Sequence, residues 1–166
     1  MKLWLLDADL VIDLFALGKF DLLAKQHQIH VASTVIDEIK FYVKGDVKYP
    51  IEFRKNYVNT GRVTELSASH EDVIAVYNKI PNSLSIHDGE IESLAILVVN
   101  EELTFCTCDC AAIRALPFLD CSDRGISVEK LLKASGVTVK DLQARHTQAY
   151  FDSNLGIGTT LMICRT

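Results

Sequence analysis

Leu3-Trp4-Leu5-Leu6-Asp7-Ala8-Asp9-Leu10-Val11 is the stretch on which the reading of the chain turns. Four apolar residues run unbroken into Asp7, the pattern of a strand buried on both faces that delivers a carboxylate to its carboxyl end. In open parallel sheets that end is where ligands bind. An ionised carboxylate beside such a run is costly unless it is paired or holds a metal. Helix capping is the plainer use of an acid here, and either Asp7 or Asp9 could cap a helix over Leu10 to Leu17.

Working outward, the pattern recurs. Leu103 to Cys108 is a second apolar run, ending at Asp109, with Ala111, Ala112, Ala115 and Leu116 starting a helix behind it. Ile29 to Ala32 reads as a short strand followed by Ser33 or Thr34 as an N-cap, with Asp37 and Glu38 in the helix it opens. In Ser85-Ile86-His87-Asp88-Gly89-Glu90-Ile91-Glu92, Ser85 and Asp88 have capping-box spacing, and Ile91, Leu94, Ala95 and Val98 form an apolar helical face. Asp88, Glu90 and Glu92 put more negative charge there than a helix start requires. Gly89 between them allows a backbone or ligand to approach closely. Val63 to Leu66 and Gly125 to Val128 read as further short strands. Leu10, Leu14, Leu17, Leu22 and Leu23 recur at helical spacing, broken at Gly18, and helices are also expected from Ser69 or His70 to Ile80 and over Glu129 to Ala134.

This alternation predicts an α/β protein: three layers, α/β/α, around a parallel sheet of about five strands. In such a sheet two strands ending in Asp and two helices carrying acids converge on one pocket. Like charges that close raise each other's pKa and repel unless divalent cations sit among them. All-oxygen ligation favours Mg²⁺ or Mn²⁺.

With 166 residues, 49% of them hydrophobic, the chain can build one core without staples. No window approaches a membrane span of roughly 20 apolar residues, and the apolar run after Lys2 is too short for a signal peptide. A cytoplasmic location is expected. Five cysteines, three of them in Cys106-Thr107-Cys108-Asp109-Cys110, fit a reducing compartment better than a disulfide framework. A net charge of −5 argues against binding of nucleic acid through bulk positive charge. It leaves room for a local basic patch, and Lys40, Lys44, Lys48, Arg54, Lys55 and Arg62 alternate with Phe41, Tyr42, Tyr49, Phe53 and Tyr57. Cations interleaved with aromatics suit a groove for single-stranded nucleic acid. A solvated helix with its apolar side on the core gives the same pattern, and residues 43–62 are read as holding at most one helix.

Residues 1–136 form the expected domain, and 137–166 are a C-terminal extension, either part of that domain or a tail that docks on a partner. Val137 to Tyr150 has helical character, while Leu155 to Cys164 suggests a terminal strand or a docking tail.

The arrangement resembles the PIN domain family. Leu-Leu-Asp7-Ala-Asp9-Leu-Val-Ile, Ala-Ser-Thr-Val-Ile-Asp-Glu38-Ile, His-Asp-Gly-Glu90-Ile-Glu-Ser-Leu-Ala and Cys-Thr-Cys-Asp109-Cys-Ala-Ala-Ile-Arg look like the four acidic landmarks of that family, in order, over about residues 1 to 133. The resemblance implies a metal-dependent ribonuclease, often the toxin of a toxin-antitoxin pair, with an antitoxin protein and a second copy of the chain as expected partners. It implies Asp7, Glu38, Glu90 and Asp109 as catalytic acids and Asp7, Glu90, Asp109, Asp88 and Asp9 as the set from which metal ligands are drawn. RNA contacts are expected from Lys40, Lys44, Arg54, Lys55 and Arg114. Cys108 and Cys110, flanking Asp109, depart from the family pattern.

Three rival readings attach to the same residues. Asp7-Ala-Asp9-Leu-Val11 fits a haloacid dehalogenase-like phosphatase with Asp7 as nucleophile, but the acidic and lysine motifs needed later are poor or missing. A PIN-like fold kept only as a binding module has no reason to retain four clustered acids. A zinc site from Cys106, Cys108, Cys110 and Cys121 lacks Cys-x₂-Cys spacing, which favours buried free thiols.

Overall fold

The element order, in a computed structural model that describes residues 3–138, 140 and 142–165, is as follows. The first half comprises β1 (Leu3–Leu6), α1 (Ala8–Ala16), α2 (Phe20–Gln26), β2 (Gln28–Ala32), α3 (Ser33–Glu38), β3 (Phe41–Lys44), β4 (Val47–Pro50) and β5 (Val63–Leu66). The second comprises α4 (His70–Lys79), α5 (Asp88–Val99), β6 (Thr104–Cys106), α6 (Cys110–Ala115), β7 (Gly125–Ile126), α7 (Val128–Ala134) and α8 (Gln148–Ile163).

Five strands form one parallel sheet of order β5-β2-β1-β6-β7, flanked by helices in a three-layer α/β/α arrangement. The expected fold class is the observed one. β1 is the middle strand, with Leu6 beside Val31 of β2 and beside Cys106 of β6. Trp4, Leu5 and Leu6 are at most 1% exposed, which is why the run carries no alternation. From β1 the chain adds β2 and β5 on one side, then returns to place β6 and β7 on the other. The order therefore reverses between β1 and β6, and the crevice beyond the carboxyl ends of those two strands is the place where such sheets bind ligands.

Two regions differ from the sequence expectation. Residues 41–50 form an antiparallel hairpin, β3 with β4, turned at Gly45 with a φ of +61°. Its strands are short and mostly exposed, so they have no apolar alternation to announce them. The helical part of 43–62 is one π-helical segment, Arg54–Val58. Phe53 and Tyr57 are core residues that meet Phe15 and Phe20 edge to face, so the aromatic character of that segment belongs to the interior.

The C-terminal extension also differs. Leu155 to Cys164, expected as a strand or tail, lies in helix α8 and its C-cap. Its composition is poor for a helix, with Gly156, Gly158, Thr159 and Thr160, and packing overrides propensity. A Cβ on residue 158 would sit 2.3 Å from the carbonyl oxygen of Arg114, so glycine lets α8 close directly onto the α6 backbone. The helix expected over Val137 to Tyr150 is a 3₁₀ turn at Ala144–His146 followed by the start of α8; Val139 and Asp141 lie outside the described residues. Among the described residues no helix is long and apolar enough to cross a membrane.

Candidate active site

Asp7 and Asp109 leave the ends of β1 and β6 on either side of the sheet's reversal point, and both serve as N-caps. Asp7 Oδ1 accepts from Leu10 N at 2.9 Å, and Asp109 Oδ1 accepts from Ala112 N at 2.7 Å. Capping and clustering thus coexist on the same side chains. Thr107 links them: its hydroxyl donates to Asp7 Oδ2 and accepts from Asp109 N at 3.0 Å.

Glu90 and Glu38 lie nearby, although among the described residues no three of Asp7, Glu38, Glu90 and Asp109 bring ligand atoms within 4.8 Å of one another. Glu90 Oε2 accepts from His87 N at 2.8 Å at the start of α5, so the capping box runs from His87 to Glu90, two residues later than Ser85 and Asp88 predicted. Burial and the nearby Asp109 charge raise the Glu90 pKa above its ordinary range. Glu38 is the last residue of α3, and its Oε1 comes within 2.9 Å of where a Cβ on Gly89 would be. Gly89 is the close-approach glycine the sequence suggested, and the group it admits is the Glu38 carboxylate. The four acids descend in exposure from Glu38, at the open rim, through half-buried Glu90 and Asp109 to Asp7, which is 3% exposed.

At the floor, burial is the dominant influence on Asp7, with Asp9 and Asp109 adding to it; the hydrogen bonds from Thr107 and Leu10 only partly offset these effects, and the pKa rises to about 7. Each of its oxygens spends one lone pair on those bonds and keeps another for a cation. Asp109 Oδ2 and Glu90 Oε1 take no hydrogen bond among the described residues. The donor set is all oxygen, the chemistry that suits Mg²⁺ or Mn²⁺, and a divalent charge would offset the burial that chiefly raises Asp7 together with the smaller repulsion from Asp9 and Asp109.

The remaining expected residues divide clearly. Asp88 is exposed beside Glu90 at the first turn of α5. Glu92, the third acid of the cluster, turns away: its carboxylate accepts from Thr34 N at 2.9 Å, Thr34 Oγ1 at 2.6 Å and Ala68 N at 3.3 Å. Glu92 thereby caps α3 from another helix, the task the sequence assigned to Ser33 or Thr34. Asp9 is exposed and pairs with Arg145 at 3.4 Å.

Of the expected RNA contacts, Lys40, Arg54 and Lys55 line an open cleft of about 390 Å³ together with Asp37 and Glu52. Arg54 is paired with Glu65 and Asp37, and Lys55 with Glu52 at 3.1 Å. Lys40 and Lys44 have no acid partner among the described residues. Lys44 lies on the hairpin, where Lys48 covers the Phe41 ring at 4.3 Å and Tyr42 stacks on Tyr49 at 5.1 Å. Arg114 is held in α6, its Nε donating to Asn154 Oδ1 of α8 at 2.8 Å, and acts as a joint between helices.

Two contributions lay outside the sequence reading. Thr107 sits between two cysteines that drew attention to themselves; a polar residue at the end of a buried strand was the available signal. Arg145 arrives from the far end of the chain, with Nη2 2.6 Å from Asp13 Oδ2. Burial works against its charge, but Cys108, Asp13, Asp9 and Asp7 around it outweigh that and raise its pKa. All five cysteines are free, and Cys106, Cys108, Cys110 and Cys121 do not gather into a four-cysteine cluster among the described residues. No family model, curated protein or solved structure matches the chain.

Proposed function

We propose that this chain is a divalent-metal-dependent endoribonuclease of the PIN type, working with Mg²⁺ or Mn²⁺ at the Asp7, Glu38, Glu90 and Asp109 cluster. The observation that carries the proposal is that Asp7 and Asp109 follow β1 and β6 at the sheet's reversal point, with Glu90 near Asp109 and Glu38 against Gly89, and that burial above all holds the Asp7 pKa near 7. A protein that made no use of the cluster would gain stability by losing it.

Bound cations of this class supply an activated water and neutralise charge on the phosphate. Within the chain, Asp7 is the anchor because capping and Thr107 fix both of its oxygens. Asp109 and Glu90 each offer an uncommitted oxygen beside it, and Asp88 is an exposed reserve ligand at the same helix start. Glu38, exposed at the rim, would hold a second ion or orient a water. Asp9, already shared with Arg145, contributes charge more than ligation. Lys40 and Lys44, with the exposed Phe41 and Tyr49, form the surface on which an RNA strand would lie by ion pairing and stacking.

The same reading expects a cytoplasmic, reducing location, in keeping with five free thiols. It also expects an inhibitory antitoxin partner and a homodimer. Exposed Ile157, Leu161 and Met162 of α8 are the first surface to test for either. The function itself is tested by incubating the protein with a mixed structured and single-stranded RNA pool in Mg²⁺, Mn²⁺ or EDTA. Cutting that EDTA stops supports the ribonuclease. Intact RNA together with phosphate release from a simple phosphomonoester would replace it with the phosphatase reading of Asp7.

A further inference from the structure

Beside the carboxylate cluster lies a second set of donors with different chemistry. Asp13 of α1, Cys108 after β6 and His146 of the C-terminal 3₁₀ turn each present one ligand atom, and the three atoms lie within 4.8 Å of one another. They come from segments far apart in sequence, and Cys108 and His146 are 3% and 2% exposed. We propose that Asp13, Cys108 and His146 bind a transition-metal ion of the Zn²⁺ class, which staples the C-terminal segment to the body of the protein. Oxygen, thiolate sulfur and imidazole nitrogen are the donors that class prefers, whereas Mg²⁺ and Mn²⁺ prefer oxygen.

A hydrogen-bonded tether is the simpler explanation of this cluster, and it accounts for only part of it. His146 Nε2 lies 2.7 Å from Asp13 Oδ2, which as a carboxylate can only accept, so that nitrogen carries the proton. Nδ1 is buried and has no hydrogen-bond partner among the described residues. Such an orphaned polar atom is costly unless something binds it. The Cys108 thiol is buried beside it, and a tether gives it no role.

Arg145 is the obstacle, since a guanidinium 2.6 Å from Asp13 repels a cation. Two features answer it. Both polar contacts of Asp13 fall on Oδ2, leaving Oδ1 for an ion. Arg145 also already reaches Asp9 Oδ2 at 3.4 Å, and so keeps a carboxylate when Asp13 turns to the metal. Binding converts the thiol to thiolate and releases its proton to solvent. Three protein ligands leave the fourth tetrahedral position to water.

Co²⁺ is the probe, because a cobalt–thiolate bond gives a charge-transfer absorption that oxygen ligands do not. The full chain, reduced and treated with chelator, is titrated with Co²⁺ and then with Zn²⁺ in competition. The expected result is one equivalent of sulfur-ligated Co²⁺, displaced by Zn²⁺ and unaffected by excess Mg²⁺. Cys108→Ser should abolish the band. His146→Gln and Asp13→Asn should weaken Co²⁺ binding by more than the roughly 10–100-fold lost with an outer-shell partner. Asp7→Asn and Asp109→Asn should leave the band intact, which separates this site from the carboxylate cluster. If Cys108→Ser does not fold, His146→Gln decides, because thermal unfolding should then show Zn²⁺ stabilising the wild type and not the variant. No sulfur-ligated Co²⁺ in the wild type, or a band that survives both Cys108→Ser and His146→Gln, would overturn the proposal and leave a tether only.

Discussion

The Glu38 carboxylate occupies the space that a side chain on residue 89 would need: its Oε1 is 2.9 Å from the position of a Cβ there. The end of α3 and the start of α5 thereby meet at residue 89, one residue before Glu90.

Gly89→Ala tests that relationship. Gly89 has no left-handed backbone requirement, and alanine favours helix by up to about 1 kcal/mol. The fold should therefore hold, with unfolding temperature unchanged or slightly raised. The new methyl group displaces the Glu38 carboxylate, and metal-dependent cleavage should fall by roughly tenfold or more, as small misplacements of catalytic groups do. Thermal unfolding and single-turnover rates measured together check this; an unchanged rate would remove Glu38 from the site.

Asp7 predicts a pH dependence of the opposite sign to the usual carboxylate. Its folded pKa is raised from 3.8 to about 7, so between those values the folded state holds a proton that the unfolded chain has released. That contribution to stability is fully present below about pH 4 and is lost as pH rises through about 7. Asp7→Asn removes the penalty and should stabilise the metal-free protein by about 4 kcal/mol at pH 8 and by little at pH 4. Mg²⁺ should stabilise the wild type increasingly from pH 6 to 8 and leave Asp7→Asn unmoved. Denaturant unfolding across pH, with and without Mg²⁺, measures all three.

Glu92 separates a structural acid from the cluster around it. Its carboxylate satisfies Thr34 N, Thr34 Oγ1 and Ala68 N. Glu92→Ala strands those donors and should cost about 2–4 kcal/mol, while Glu92→Gln, which retains acceptors, should cost less. Mn²⁺ affinity of the Gln variant, measured calorimetrically, should match the wild type.

The sequence already carried Asp7, Asp109 and the parallel sheet, because strands buried on both faces leave unbroken apolar runs and the acids follow them directly. Glu90 was legible only as one of three acids. The resemblance favoured Glu90 over Asp88 and Glu92; that Glu92 caps α3 depends on where α3 sits and could not be read from the pattern. The hairpin at 41–50 left no trace because its strands bury little. The helical state of Leu155 to Cys164 depends on Gly158 meeting the Arg114 backbone, a contact between residues far apart in the chain. Arg145 and His146 were illegible for the same reason.

Gly158→Ala measures how much that contact matters. A methyl group 2.3 Å from a backbone carbonyl cannot be relieved by turning a side chain. The cost should be about 1–3 kcal/mol or more, with amide exchange increased first in α8. An unchanged unfolding temperature would mean that α8 does not pack on α6 in this way.

The most direct test of the central claim is RNA cleavage in Mn²⁺ by the wild type beside Asp7→Asn, Asp109→Asn and Glu92→Gln, each verified as folded. Cutting by the wild type and Glu92→Gln, lost in EDTA and reduced at least 100-fold in both Asp variants, is the predicted result. Cutting that persists in Asp7→Asn and Asp109→Asn, or none from the wild type with either metal, would contradict it.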